Sequence, residues 1–325
     1  MDHIKKTAAY LHCVGNTPLI MLATDIPNIN LFAKLESCNP TGSVKDRAAN
    51  HVLRKILALK QIDEDTTIIE SSSGNFALSL SAYCRLFNLR FICVVDCKIS
   101  AVNETRIEAN RARIVKITEP DEYGGYVINR IRKVKDLCNE IPNSYFVNQY
   151  ENVYVAEAYS RSLGEEVCRH FKSLDYIFVA VSSGGTITGI SNRLKERFPG
   201  IKVVAVDIVG SRIFGQPAAP RNIPGIGSSI IPNLLKKALI DEVIIIDEVT
   251  TIRGCYSLLS SHQLFVGGSS GLVYEAVGKY FEKYPATRSR NVLAIFPDGG
   301  ERYVETIYNK DWCERICELN LNVAT

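Results

Sequence analysis

The 325-residue chain has no long apolar run, no Cys-x-x-Cys pair and only five histidines. A membrane-spanning helix needs about 20 consecutive apolar residues, so none is expected. The start, Met1-Asp-His-Ile-Lys-Lys, has no apolar signal core, and a cytoplasmic location is the expectation. Ten cysteines are sparse for a disulfide scaffold of this length. Cys93/Cys97 and Cys313/Cys317 lack a second ligand pair, so no metal is expected. A formal charge of +3 argues against nucleic acid as the main partner and suits a small anionic ligand. Hydrophobic residues at 46% and charged residues at 22% describe an ordinary soluble protein, long enough for two lobes.

Short β-branched runs recur at Ile29–Leu35, Thr67–Glu70, Arg90–Val95, Arg113–Ile117, Tyr176–Val181, Lys202–Asp207, Glu242–Ile246 and Val292–Phe296. Amphipathic stretches of helical length lie between most of them, including Arg47–Leu59, Phe76–Phe87 and Thr186–Phe198. Nearly all-apolar strands that alternate with helices predict an α/β fold of mostly parallel sheets covered on both faces. Gly/Ser clusters fall at the strand ends, where such sheets hold ligands. A lobe boundary is expected near Pro142–Gln149, after a basic helix at Tyr126–Cys138 whose Arg130, Arg132 and Lys133 read as a solvated face.

Asn39 to Arg47 reads Asn-Pro-Thr-Gly-Ser-Val-Lys-Asp-Arg, and Ser71 to Asn75 reads Ser-Ser-Ser-Gly-Asn. Gly42 permits a sharp turn, and Ser43 is suited to cap a helix. Lys45 then projects from the first helical turn, where desolvation and the positive helix end both lower an amine's pKa. Such a lysine can form an imine with an aldehyde cofactor. The plainer alternative is a surface lysine at a capped helix. Val181-Ser-Ser-Gly-Gly-Thr-Ile-Thr-Gly189 follows an apolar strand and opens a helix, a geometry whose backbone N–H groups hold phosphate. It carries neither a terminal Gly-Lys-Ser/Thr nor Gly-x-Gly-x-x-Gly, which disfavours nucleotides. One lysine and one phosphate cup together suggest pyridoxal 5′-phosphate. Gly267-Gly-Ser-Ser-Gly271, with a helix expected from Leu272, resembles a hydrolase nucleophile elbow. The last histidine, His262, precedes Ser269, so the hydrolase order is excluded.

With these segments in place, from Asn16-Thr-Pro-Leu19 to Pro297-Asp-Gly-Gly-Glu-Arg-Tyr303, the chain resembles the pyridoxal-phosphate cysteine synthase/cystathionine β-synthase family. That resemblance implies the two-lobed fold type II, similar to the tryptophan synthase β-subunit, and a homodimer. It implies a smaller mobile domain of residues 1–12 and 35–148 that closes on the substrate, and a larger one of 13–34 and 149–325 that binds the cofactor phosphate. By resemblance Lys45 is the catalytic Schiff-base lysine. Asn75 meets the cofactor's 3′-oxygen, Ser183, Gly184, Gly185 and Thr186 hold its phosphate, and Ser269 faces the ring nitrogen. Ser72, Ser73, Gly74 and Gln149 grip the substrate carboxylate.

Gln149-Tyr150 stands where cysteine synthases usually have Gln-Phe, and Ser182-Ser-Gly-Gly-Thr186 where they have Gly-Thr-Gly-Gly-Thr. The Tyr150 and Ser182 hydroxyls suit a polar second substrate better than bare sulfide. Val94–Ser100, Glu119–Tyr126, Arg130–Val134, Asn148–Tyr150 and Pro224–Ser229 are similar to the siderophore-pathway branch of the family, which supplies 2,3-diaminopropionate. Its first enzyme joins O-phospho-L-serine to L-glutamate through an aminoacrylate, giving N-(1-amino-1-carboxy-2-ethyl)-glutamate and phosphate. Ile230 occupies a position where that branch is expected to carry Arg; Arg212, Arg221, Lys98 and Arg106 are the candidate replacements. The alternatives are a cysteine synthase using O-acetylserine or O-phosphoserine with sulfide, and a non-catalytic homologue that binds a partner.

Overall fold

The computed structural model describes residues 9–323. Two short strands, β1 (Leu19–Leu22) and β2 (Ile29–Leu35), pair antiparallel near the start of the chain. Then come β3 (Thr67–Ser71), β4 (Arg90–Asp96), β5 (Arg113–Ile117) and β6 (Ser144–Phe146), all parallel in a four-stranded sheet of order β5-β4-β3-β6. The later strands are β7 (Tyr176–Ala180), β8 (Lys202–Ile208), β9 (Glu242–Ile246) and β10 (Arg290–Phe296). They join β1 and β2 in a six-stranded sheet of order β1-β2-β10-β7-β8-β9. Every residue of β3 is buried, as a strand covered on both faces requires.

Helices α1 (Lys45–Ala58), α2 (Asn75–Leu86), α3 (Ala101–Ala109), α4 (Val127–Glu140), α5 (Val153–Tyr159) and α6 (Glu165–His170) occupy the first half. Helices α7 (Gly185–Arg197), α8 (Glu248–His262), α9 (Gly268–Lys283) and α10 (Lys310–Val323) complete the set. In α1 the buried Ala48, Ala49, Val52, Leu53 and Ile56 recur at three- and four-residue steps, which is the apolar stripe of an amphipathic helix. That stripe enters one continuous core with Ile68 and Phe76 on one side and Tyr159, Ile177 and Ile190 on the other. A single apolar mass therefore underlies both sheets. Among the described residues no helix is long and apolar enough to cross a membrane. All ten cysteines are unpaired; Cys84, Cys93, Cys168 and Cys255 are buried, while Cys13, Cys38, Cys97 and Cys317 are exposed.

Several expectations need correction. Helix α1 has Val44 at its N-cap instead of Ser43, although the Ser43 hydroxyl still accepts the Lys45 N–H at 3.3 Å. Helix α9 starts at Gly268, four residues before Leu272, which puts Ser269 in its first turn. Arg130 does not lie on a solvated face; it is buried, in an ion pair with Asp96 at 3.2 Å. Its helix does carry exposed charge elsewhere, but Arg130 points inward because a buried carboxylate there supplies its partner.

Behind α1 lies a buried group of four charges. Arg47 donates to Glu36 through Nε at 2.7 Å and NH2 at 2.8 Å, and to Glu166 through NH1 at 2.6 Å. Lys34 on β2 reaches Glu166 at 2.7 Å and the Thr17 carbonyl at 2.6 Å. The Thr17 hydroxyl donates to Glu36 at 2.6 Å, and the Asn16 N–H donates to Glu166 at 2.9 Å. Two cations, two carboxylates and their neighbours thus satisfy one another in a dry site, the condition under which a buried ion pair survives. Burial pushes the Glu166 carboxyl upward, but Arg47, with Lys34 and Asn16, outweighs it and holds the group at about 2.

A folded-state carboxyl held below its unfolded value stabilises the protein above the unfolded pKa, near 4.3. That contribution disappears as pH falls from there toward about 2. Urea unfolding of Glu166→Gln should show a loss of about 3–5 kcal/mol at neutral pH, the cost of leaving the buried cations unpaired. The variant should also show a shallower decline of stability across that acid window than the parent chain.

Candidate active site

The turn before α1 is fixed to the end of β10. The Val44 N–H donates to the Pro297 carbonyl at 2.8 Å, and Ser43 bridges Asp298 in antiparallel fashion. Gly42, at φ +92°, closes the turn by donating to Asn39 at 2.8 Å. Thr41 contributes both its N–H and its hydroxyl to Asp46, at 3.1 and 2.9 Å. These restraints leave Lys45 as a part-buried residue of a cavity wall, with Nζ 5.9 Å from the centre of the Tyr159 ring. Desolvation lowers its pKa to about 8, and the nearby Asp298 carboxylate opposes part of that fall.

Across the cavity β7 ends at Ala180 and α7 begins at Gly185. Gly184 occupies the helix N-cap at φ +79°, a left-handed conformation that L side chains rarely adopt. The first-turn N–H groups of this 13-residue helix lack intrahelical acceptors and carry the positive end of its dipole. Ser182, Ser183, Gly184 and Thr186 line the same cavity as Lys45, Asn75 and Ser269. Gly185 instead faces α5, where an added Cβ would lie 2.6 Å from Val155 Cγ1. The Ser182 hydroxyl is engaged with the Gly227 carbonyl at 3.1 Å.

The remaining expected residues sit around β3. The Ser72 hydroxyl accepts from the Gly74 and Ala77 N–H groups at 3.4 and 3.3 Å, holding the start of α2. The Ser73 hydroxyl is shared: it donates to Asp96 at 2.7 Å and accepts from Arg130 at 2.8 Å. Gln149 donates to the Ser71 carbonyl at 3.1 Å. Tyr150 is 8% exposed and its pKa is raised by burial. None of Ser72, Ser73, Gly74, Gln149 and Tyr150 lines the cavity of Lys45. Their polar groups are mostly committed to protein partners in this state.

Sequence reasoning missed three polar residues here. Asp298 and Tyr303 line the cavity and were visible only as letters of a longer motif. Glu70, at the end of β3, is buried and pushed up to about 8 by desolvation, so its carboxyl is largely protonated at neutral pH. An acidic residue directly after two isoleucines in a short strand, Thr67-Ile-Ile-Glu-Ser71, was the available signal. A desolvated amine, a helix N-terminus and a hydroxyl in one cavity fit the aldehyde, phosphate and ring nitrogen of pyridoxal phosphate. The buried Asp298 Oδ1, without a hydrogen-bond partner, shows that this wall still has polar capacity to offer.

Comparison with known proteins supports that fit. A family model described as pyridoxal-phosphate dependent enzyme matches residues 10–298. The N-(2-amino-2-carboxyethyl)-L-glutamate synthase of Ralstonia nicotianae is 41% identical, over 94% of this chain and 90% of its own length. A protein of the same name from Cupriavidus metallidurans is 41% identical, over 94% of this chain and 91% of its own. The crystal structure of an O-acetylserine-dependent cystathionine β-synthase from Helicobacter pylori is 32% identical, with a TM-score of 0.86, covering 92% of this chain and 98% of that one. With a matching cavity, and a match that spans most of its length, this chain belongs to the pyridoxal-phosphate-dependent enzyme family.

Proposed function

We propose that the enzyme performs a β-replacement: O-phospho-L-serine and L-glutamate give N-(2-amino-2-carboxyethyl)-L-glutamate and phosphate, for 2,3-diaminopropionate and siderophore biosynthesis. The observation that carries this reading is the pair of synthases of that name, each 41% identical over 94% of the chain. Pyridoxal phosphate, when bound, supplies an aldehyde for the substrate amino group and a ring that acidifies the Cα–H bond.

In this reading Lys45 carries the cofactor, and its Nζ takes and later returns the Cα proton. Its pKa of about 8 supports that work, since an appreciable fraction is neutral near pH 7. The α7 N-terminus with Ser183, Gly184, Gly185 and Thr186 holds the cofactor phosphate, Ser269 faces the ring nitrogen, and Asn75 meets the 3′-oxygen. Ser72, Ser73, Gly74 and Gln149 bind the α-carboxylate of the first substrate once the loop has rearranged. Phosphate leaves the β-carbon and the amino group of glutamate enters there, so the atoms balance. Tyr150 and Ser182 meet that incoming polar substrate once the same rearrangement has brought Tyr150 to the cavity and released the Ser182 hydroxyl from Gly227. Loop closure over the carboxylate excludes water.

Residues 1–12 with 35–148 are read as the smaller, mobile domain and 13–34 with 149–325 as the larger. The division is supported by the confinement of the four-stranded sheet to residues 67–146. Residues 1–8, 324 and 325 lie outside the described residues. A homodimer in the cytoplasm is the accompanying expectation. A second reading, use of O-acetylserine, is favoured by the name of the Helicobacter pylori structure.

Incubation of the purified enzyme with O-phospho-L-serine and either L-glutamate or sulfide, with products read by mass, separates the readings. The glutamate adduct and one equivalent of phosphate are expected; cysteine formed rapidly, with no glutamate adduct, would overturn the assignment. Borohydride reduction followed by peptide mapping should fix the cofactor on Lys45, and Lys45→Ala should lose both the label and about 10³-fold or more of the activity. The chain stripped of cofactor should take up the aldehyde faster as pH rises, with half the maximal rate at about 8 in place of the ordinary lysine value above 10.

A further inference from the structure

Asp298, two residues beyond the end of β10, is the carboxylate in the lining of the cavity. It is 2% exposed. Its Oδ2 accepts from the Asn75 amide at 2.7 Å and from the Tyr303 hydroxyl at 3.0 Å, while Oδ1 has no hydrogen-bond partner. Its backbone is pinned through the Ser43 bridge and through the Gly267 N–H, which donates to its carbonyl at 3.1 Å. Gly267 must be glycine for this arrangement, because a Cβ there would collide with Oδ1. Four chain segments therefore converge on one residue: the turn before α1 and the start of α9 on its backbone, the start of α2 and the 298–303 turn on its side chain.

We propose that Asp298 is a positioning residue of the cofactor site, fixing the Asn75 amide in one orientation and supplying the negative charge that faces the Lys45 amine. The inference rests on the reading of Lys45 as the cofactor-bearing lysine and Asn75 as a cofactor contact. With one amide N–H committed to Asp298, the Asn75 side chain cannot flip without losing a charge-assisted bond, and its second N–H stays free for an acceptor in the cavity. The same carboxylate favours the protonated amine and works against the desolvation that drives the proton off. Opposing pulls of this kind keep a general base near the working pH.

The other groups around the pair leave this effect readable. Burial raises the Asp298 carboxyl above its ordinary value, and Arg302, the Asn75 and Tyr303 hydrogen bonds and Lys45 work against that rise in favour of the charged form. Burial raises the Tyr303, Tyr308 and Tyr159 hydroxyls above their ordinary range and pushes the Cys255 thiol up to about 12. Raised in this way by burial, the three tyrosines and Cys255 stay neutral between pH 6 and 9.

Asp298→Asn keeps the shape and an acceptor for Asn75 but removes the charge; Asp298→Ala removes both. Competitive labelling of Lys45 across pH, in the full chain stripped of cofactor, reads the amine directly. In Asp298→Asn the midpoint should fall below about 8, and a fall of one pH unit would leave about fivefold more neutral amine at pH 7. The ascending, acid-side limb of the pH–rate profile of the holoenzyme should move in the same sense. In a double-mutant cycle, Asn75→Ala and Asp298→Ala should speed cofactor loss on dialysis by a common, non-additive factor.

An unchanged Lys45 midpoint in Asp298→Asn, with the fold intact by circular dichroism, would overturn the proposal, as would strictly additive effects in the cycle. A purely structural role would slow or speed cofactor loss without moving the Lys45 midpoint. If Lys45→Ala still takes the borohydride label, the reading of Lys45 itself fails and the role of Asp298 falls with it.

Discussion

The helix that carries Lys45 is held in place by charges that never touch the cavity. Arg47, two residues along α1, is clasped by Glu36 and Glu166, and Glu166 is in turn held by Lys34. The group joins β2, the turn after it, α1, α6 and the loop at residues 15–17. Each partner alone would be costly to bury, so the members stand or fall together. Geometry is what such a cluster supplies. Apolar packing lets a helix slide or rotate by small amounts, whereas a forked guanidinium bonded to two carboxylates tolerates little displacement.

From that anchor the site follows by short steps. The turn before α1 is stitched to Pro297 and Asp298, so the same strand end that positions Asp298 also limits where Lys45 can project. Parallel strand β10 lies between β2 and β7, which brings the α1 turn and the α7 N-terminus to one end of the sheet. The Lys45 amine and the α7 N-terminus then line one cavity with no long loop needed to join them. The Ser71–Asn75 segment differs in character. Its polar groups are latched by Asp96, Arg130 and Ser72, so binding a substrate anion there requires exchanging protein partners for ligand ones.

Much of this was legible in the chain because it is local. The strands at 29–35, 113–117 and 242–246 have the bounds their β-branched runs suggest, and the Gly/Ser clusters at 182–186 and 267–271 contribute to the cavity wall, whereas Ser72, Ser73 and Gly74 do not. β1 and β6 were missed for a physical reason: four and three residues give no measurable periodicity, and both exist through pairing with a distant strand. Arg130 was misread because its helix is strongly basic, and only the folded chain brings Asp96 and Ser73 to it. Lys34 and Glu166 are 132 positions apart, with nothing in their neighbourhoods to pair them before folding. Asp298 had the same difficulty, since Asn75 lies 223 residues away.

The buried thiols carry a practical corollary. Burial pushes Cys255 up to about 12 and raises Cys84 and Cys93 further, so none supplies measurable thiolate at neutral pH. Oxidants and alkylating agents act on the thiolate, so the interior is chemically quiet even though it holds sulfur. Reagents of that kind would decorate only the skin of the molecule, at Cys13, Cys38, Cys97 and Cys317. A spectroscopic tag placed there would report on the exterior while leaving the cavity of Lys45 untouched.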